Sequence, residues 1–220
     1  MAITDYTRAI ELDPKYANAY YNRGLAYGQL KQFDKAIADF TRAIELDPKF
    51  ANAYYNRGNA YGELKQIDMA IADYTKAIEL NPNYANAYYN RGKAYLGLQQ
   101  YDKAIADCTR AIELDPEIAE AYLKRGFAYG ELKQFDKAIT DYTRAIKLDP
   151  KEADAYINRG DAYVELKQFD NAITDFTKAI ELDPKSAEAY KDRGEAYLKV
   201  GKKKEAEADF AKAEMLNKDN

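Results

Sequence analysis

The stretch Ala17-Asn18-Ala19-Tyr20-Tyr21-Asn22-Arg23-Gly24-Leu25-Ala26-Tyr27-Gly28-Gln29-Leu30 decides the fold, together with its continuation Lys31-Gln32-Phe33-Asp34-Lys35-Ala36-Ile37-Ala38-Asp39-Phe40-Thr41-Arg42-Ala43-Ile44-Glu45-Leu46-Asp47-Pro48-Lys49-Phe50. Tyr20, Gly24 and Tyr27 fall near one angle of a helical wheel, which predicts a first helix from Ala17 to about Leu30. After the loop Lys31-Gln32-Phe33, Asp34 is a suitable N-cap, and Ala36, Phe40 and Ala43 form one stripe of a second helix ending near Leu46. Pro48 disfavours helix at Asp47 and makes a turn there. Gly24 and Ala36 let the two backbones approach, while Tyr20, Tyr27 and Phe40 fill the space around them. The stretch therefore reads as an antiparallel helical hairpin.

The same hairpin recurs along the chain. All six prolines lie 34 residues apart, from Pro14 to Pro184, and six of the eleven glycines keep that step, from Gly24 to Gly194. Residues 17–50 and 51–84 are identical at 25 of 34 places, which chance does not produce. Six full units follow, at 17–50, 51–84, 85–118, 119–152, 153–186 and 187–220, and residues 1–16 make half a unit. The expectation is one all-α solenoid over residues 1–220, without strands.

Composition removes most chemistries. The 220 residues include 37 acidic and 33 basic side chains, no His and one Cys. Without His there is no Ser-His-Asp or Cys-His constellation and no imidazole metal ligand. A lone Cys108 makes neither an internal disulfide nor a Cys-rich zinc site, so nothing asks for an oxidising compartment. The net charge of −4 divides evenly between residues 1–118 and 119–220, so neither half is a basic nucleic-acid arm. No apolar run reaches the roughly 18 residues of a membrane span, and the start lacks a signal peptide's basic and apolar regions. The expectation is a soluble, cytoplasmic, non-enzymatic protein with no metal, no cofactor, no nucleic acid and no membrane among its partners.

The repeated residues resemble those of the tetratricopeptide repeat, whose 34-residue unit runs aromatic, Leu-Gly, Tyr, Ala, Phe, Pro. The first full unit supplies Tyr20, Arg23-Gly24, Tyr27, Ala36, Phe40 and Pro48, and the other five match it closely. One departure is constant: Arg stands where the family has Leu before Gly, at Arg23, Arg57, Arg91, Arg125, Arg159 and Arg193. The resemblance implies a right-handed superhelical solenoid of helix-turn-helix hairpins, with first helices lining a concave side that binds peptides or protein partners.

On the first helix, Asn18, Asn22, Leu25 and Gln29 lie opposite the Tyr20/Gly24/Tyr27 face, where a ligand could sit. The next units place Asn52 and Asn56, then Asn86 and Asn90 there, flanked like the first by a second tyrosine, at Tyr21, Tyr55 and Tyr89. Asn is a mediocre helix former, so its repeated use needs a reason. Its amide donates to a carbonyl and accepts from an N–H, the pair a peptide backbone presents, and Tyr adds stacking area. The ladder resembles that in the superhelical domain of O-linked N-acetylglucosamine transferases, where such amides grip an extended peptide. On that resemblance Asn22, Asn56, Asn90 and Asn158 are rungs, with Lys124 and Asp192 breaking the ladder.

The last three units turn acidic on this face, with Glu120, Glu131, Asp154, Asp161, Glu165, Glu188, Asp192 and Glu195 against only Lys124 and Lys199. Either this face is merely solvated or it prefers a basic ligand segment. Periodicity also assigns fifteen tyrosines and Cys108 to the core: six four residues before the repeated glycines, six three residues after, and Tyr6, Tyr74 and Tyr142. The repeated Arg falls on a helix flank and needs a partner, and the repeated Asp of the second helices, Asp39 among them, is the obvious carboxylate.

A second functional expectation concerns the ends. The last unit carries Glu207 and Glu214 where the earlier full units have paired Ile such as Ile37 and Ile44, which reads as a cap. Residues 1–13 form a second helix without its first helix and leave Ala2, Tyr6 and Ala9 uncovered. The alternative to a peptide groove is thus a scaffold that self-associates, as a homodimer through residues 1–13.

Overall fold

Alternating first and second helices follow from the 34-residue pattern. In the computed structural model, which describes residues 2–218, the first helices are α2 (Ala17–Gln29), α4 (Ala51–Glu63), α6 (Ala85–Gly97), α8 (Ala119–Glu131), α10 (Ala153–Glu165) and α12 (Ala187–Lys199). The second helices are α1 (Ala2–Leu12), α3 (Phe33–Leu46), α5 (Ile67–Leu80), α7 (Tyr101–Leu114), α9 (Phe135–Leu148), α11 (Phe169–Leu182) and α13 (Lys203–Lys218). There is no strand among the described residues.

Every hairpin turn has one design. The α2 helix ends at Gln29, Lys31 takes φ 56°, and the Lys31 and Gln32 amides donate to the carbonyls of Gly28 and Tyr27, both at 2.9 Å. This is a Schellman turn, which satisfies the last carbonyls of the helix. Lys65, Gln99, Lys133 and Lys167 repeat the left-handed residue, and Gly201 holds it in the last turn at φ 81°. The helix then restarts two residues earlier than the sequence suggests. α3 begins at Phe33 with Gln32 at the cap, so Asp34 is no N-cap and lies in the first turn. The left-handed residue has already redirected the chain, and the Asp34 carboxylate instead faces the positive end of the helix. Between hairpins, the Asp47 side chain accepts from the Lys49 amide at 3.0 Å and fixes the Asp-Pro turn.

The chain falls into two compact units, Met1–Asp115 and Pro116–Asn220. Within each, a first helix packs on its own second helix, and that second helix packs on the next first helix. The contact layer is small: Ala36, Ala43, Ala53, Ala70 and Ala77 in the first unit and Ala121, Ala138, Ala155 and Ala172 in the second are buried. One large residue per hairpin fills what remains, Phe40 and Tyr74 in the first unit and Tyr142 and Phe176 in the second, with Cys108 in that slot of α7. Burying one such side chain contributes roughly 1.5–3 kcal/mol. The repeated glycine makes room for it. A Cβ on Gly24 would sit 2.7 Å from Phe40, and one on Gly160 2.5 Å from Phe176.

The twelve tyrosines around those glycines behave differently from the core expected of them. Tyr74 and Tyr142 on the second helices are buried, whereas of the twelve only Tyr156 is buried and the others are half-buried. They flank the repeated Arg: the Arg23 guanidinium carbon is 5.7 Å from the Tyr20 ring and 6.0 Å from the Tyr27 ring. The same Arg makes a bidentate pair with Asp39, at 2.7 and 2.8 Å, and donates to Thr7 on α1 at 3.1 Å. Arg57 repeats this with Asp73 on α5 and Thr41 on α3. A single guanidinium thus ties three successive helices, and an always-charged planar fork suits that task better than Leu or Lys.

Candidate functional site

The face opposite the hairpin contact is formed by successive first helices, and the two units furnish it differently. In the first unit α2 neighbours α4 and α4 neighbours α6. Tyr21 tilts over Phe50 and Phe40, with ring centroids 4.7 and 5.9 Å away, and Tyr55 tilts over Tyr84 and Tyr74 at 4.7 and 6.0 Å. Burial pushes the Tyr21 hydroxyl's pKa up, against the opposing hydrogen bond from Asn56. The Asn side chains expected as rungs hold these tyrosines. Asn56 Nδ2 donates to the Tyr21 hydroxyl at 3.0 Å and to the Asn52 carbonyl at 2.9 Å. Asn90 Nδ2 donates to the Tyr55 hydroxyl at 3.0 Å and to Asn59 Oδ1 at 2.9 Å, and that oxygen also accepts from Tyr74.

Both amide protons of Asn56 and Asn90 are therefore committed within the unit. Their remaining capacity is the Oδ1 acceptor, which suits the N–H groups of an extended chain. Asn18, Asn52 and Asn86 are exposed, one helical turn before the rungs Asn22, Asn56 and Asn90. Tyr89 is half-buried on α6. The Asn–Tyr link needs Tyr one unit back, and Asn158 follows Leu123 at that place.

Between neighbouring first helices lie hollows. One of about 240 Å³ is lined by Gly28, Phe33, Phe40, Asn56 and Asn59, between α2 and α4. Another of about 400 Å³ lies between α4 and α6, lined by Asn59, Gly62, Ile67, Tyr74, Asn90 and Lys93. In the second unit a hollow of about 180 Å³ between α8 and α10 is lined by Phe127, Gly130, Phe135, Tyr142 and Asn158, with Glu131, Asp161 and Glu165. All three occupy one place in the repeat. At their base stands Gly28, Gly62 or Gly130, four residues after the packing glycine, where units carrying Leu96, Val164 or Leu198 present a side chain. A Cβ on Gly28 meets nothing within 4 Å, and one on Gly62 or Gly130 meets only a tyrosine hydroxyl at 3.7 Å. Sequence reasoning passed over these glycines. The signal was present: glycine is a poor helix residue, and these three sit in the last turn of their helices without a packing need, where the chain elsewhere carries Leu or Val.

The acidic residues do not all gather. Glu120, Asp154 and Glu188 lie in the first turns of their helices, where the helix dipole favours a carboxylate. Glu120 borders a separate small crevice with Leu123 and Asp149. Asp161 is the centre of the remainder. Asp161 keeps an exposed surface, and partial desolvation, followed by the carboxylates of Asp192, Glu188, Glu165 and Glu195, pushes its carboxyl up to about 7. Asp192 is pushed to about 6, again by desolvation first and then by Glu188 and Glu195, with Lys191 opposing. Among the described residues no group of three or more His, Cys, Asp or Glu is placed to hold a metal ion, and no helix is long and apolar enough to cross a membrane.

Comparison with known proteins agrees with this architecture. Models described as tetratricopeptide repeat match residues 17–50, 51–84, 85–118, 108–140 and 187–220, and one described as TPR repeat matches 1–31, 131–167 and 160–201. The chain belongs to the tetratricopeptide-repeat family. No curated protein matches it in sequence. Among solved structures it is similar to YrrB, described as a TPR protein with an unusual peptide-binding site, at 28% identity and a TM-score of 0.74, covering 84% of this chain and 95% of that one. A crystal structure of MamA matches at 31% identity and a TM-score of 0.71, covering 74% of this chain and 95% of the other. MamA from Desulfovibrio magneticus RS-1 matches at 25% identity and 0.72, over 77% and 96%.

Proposed function

We propose that the chain is a non-enzymatic protein-interaction scaffold whose first-helix face binds an extended peptide segment of a partner. The observation that carries this reading is the set of hollows at one place in the repeat, at Gly28, Gly62 and Gly130, beside Asn side chains with acceptor capacity to spare. Hollows repeated along a line of helices suit side chains of an extended chain, and the Asn Oδ1 oxygens suit its backbone N–H groups. The structural similarity to YrrB, described with a peptide-binding site, supports the same reading. The acidic second unit adds a preference for segments carrying positive charge, through faster encounter and selectivity more than raw affinity.

The test is titration of a peptide selected from a random library against the protein and an Asn56→Ala/Asn90→Ala variant. A loss of about 1–3 kcal/mol in affinity per removed contact is expected, with the helical circular dichroism retained. Unchanged affinity would rule out the Asn ladder as the grip.

A second reading, self-association through residues 1–13, rests on α1, which has no buried residue and ends with Leu12 and the following Tyr16 at 74% and 48% exposed. Sedimentation at rising concentration separates the two, because a dimer through α1 would be weakened by Tyr6→Glu.

A further inference from the structure

The second helices share a hairpin face, and α1 is the one whose face lies open among the described residues. In α3 that face is Ala36, Asp39, Phe40 and Ala43, all buried under α2. The same places in α1 are Ala2, Asp5, Tyr6 and Ala9, of which Ala2 and Asp5 are exposed and Tyr6 and Ala9 half-buried. α1 is still held in position from behind, where it packs on α2 and Thr7 accepts from Arg23 at 3.1 Å. The open face also carries a charge. Asp5 has no ion pair or hydrogen bond among the described residues. Each of its six counterparts, from Asp39 to Asp209, receives a bidentate Arg from the first helix lying over it.

We propose that α1 receives a helix of a partner protein that carries Arg followed by Gly, with a second Gly four residues after the first. The covered copies of this face show what it accepts. Arg answers the carboxylate with two parallel bonds, as Arg57 does to Asp73 at 2.7 and 2.8 Å, a geometry that Lys does not supply. Tyr6 sets the first glycine. In the same slot, Tyr74 lies 2.8 Å from where a Cβ on Gly58 would stand, and Tyr142 lies 2.7 Å from one on Gly126. The hydroxyl of Tyr6 sets the second. The helices over Tyr74 and Tyr142 carry Gly62 and Gly130, whose Cβ would stand 3.7 Å from the hydroxyl. Where Leu96, Val164 or Leu198 takes that place, the slot holds Cys108, Phe176 or Phe210 instead of Tyr. This occupant differs from a second copy of α1, the self-association reading of the same face. A two-fold contact would bring two Asp5 carboxylates to one interface, and the one Arg of α1, Arg8, is paired with Glu11 at 2.8 Å. The inference goes beyond the peptide groove, which lies on the other face of the first helices, and stands independently of it.

The test uses the whole protein, labelled with nitrogen-15, and a peptide with the sequence of residues 51–66 as the probe helix. A helix this short is marginal alone in water, so the peptide is stapled between the positions of Asn52 and Asn56, away from the hairpin contact. Saturable shifts of the α1 amides are expected. Arg57→Gln in the peptide or Asp5→Asn in the protein should weaken binding about tenfold, and the two together no further than either alone. Asp5→Asn should leave the circular dichroism unchanged, because Asp5 holds nothing in the fold. Gly58→Leu or Gly62→Leu in the peptide should abolish the shifts. Tyr6→Phe should restore binding of the Gly62→Leu peptide alone, since Phe210 already lies under Leu198 in this way. Absence of shifts in α1, binding that ignores Asp5 and Arg57, equal binding of the glycine and leucine peptides, or an α1 dimer that excludes the peptide would overturn the proposal. The peptide-groove variants Asn56→Ala and Asn90→Ala leave α1 untouched, so neither result decides the other.

Discussion

At the residue scale, the Arg that replaces the family's Leu carries the sharpest energetic consequence. Arg57 and Asp73 are a bidentate pair with side chains 17% and 8% exposed. Removing one partner strands a buried charge. Asp73→Ala should therefore destabilise the fold by about 3–5 kcal/mol in a denaturant titration. Replacing both partners by apolar residues of similar volume should cost much less, and equal losses from the single and double changes would argue against the pair. The glycines divide in the same physical way. Gly160→Ala drives a Cβ into Phe176 and should cost about 1–3 kcal/mol, whereas Gly62→Ala meets only a hydroxyl at 3.7 Å. Helix propensity then decides the second case, and Gly62→Ala should stabilise by up to about 1 kcal/mol. A large loss at Gly62 would mean that the hollow belongs to the packing.

At the element scale, the turns are the strained parts. Lys65 occupies the left-handed region at φ 58°, where glycine is free of steric penalty. Lys65→Gly should raise stability by roughly 0.5–1 kcal/mol, and Lys65→Val should lower it by more than that, because a β-branched residue suits this region least. Thermal melts of the three proteins check the order. This level also shows what the sequence made legible. Helix count, hairpin boundaries to within a residue or two, the Arg–Asp pairing and the burial of Cys108 follow from periodicity, since a residue kept at every thirty-fourth place faces the same neighbours each time. Asp34 was misplaced because capping preference is local, while the turn before it was set by Lys31. The Tyr core was overstated because a wheel gives direction and says nothing of an Arg wedged between Tyr20 and Tyr27. The hollows stayed hidden because they depend on what Gly28, Gly62 and Gly130 lack.

At the scale of the whole molecule, the two units pose one face in two chemical versions, a neutral one of Asn and Tyr and an acidic one around Asp161. The acidic version leaves a trace in stability. The Asp161 and Asp192 carboxyls hold protons more tightly folded than their ordinary value of 3.8 allows, at about 7 and about 6. Their contribution is full below pH of about 4 and is lost as pH rises through 6 and 7. The melting temperature should fall between pH 5 and pH 8, and Asp161→Asn should flatten that fall; an unchanged profile would contradict the clustering. The central claim is that repeated glycine hollows on the first-helix face receive a partner's side chains. Its most direct measurement is calorimetric titration of the tightest peptide from a random library against the protein and a Gly62→Leu/Gly130→Leu variant. The predicted result is at least a tenfold loss of affinity, about 1.4 kcal/mol, in a variant with unchanged circular dichroism. Equal affinity for both proteins would contradict it.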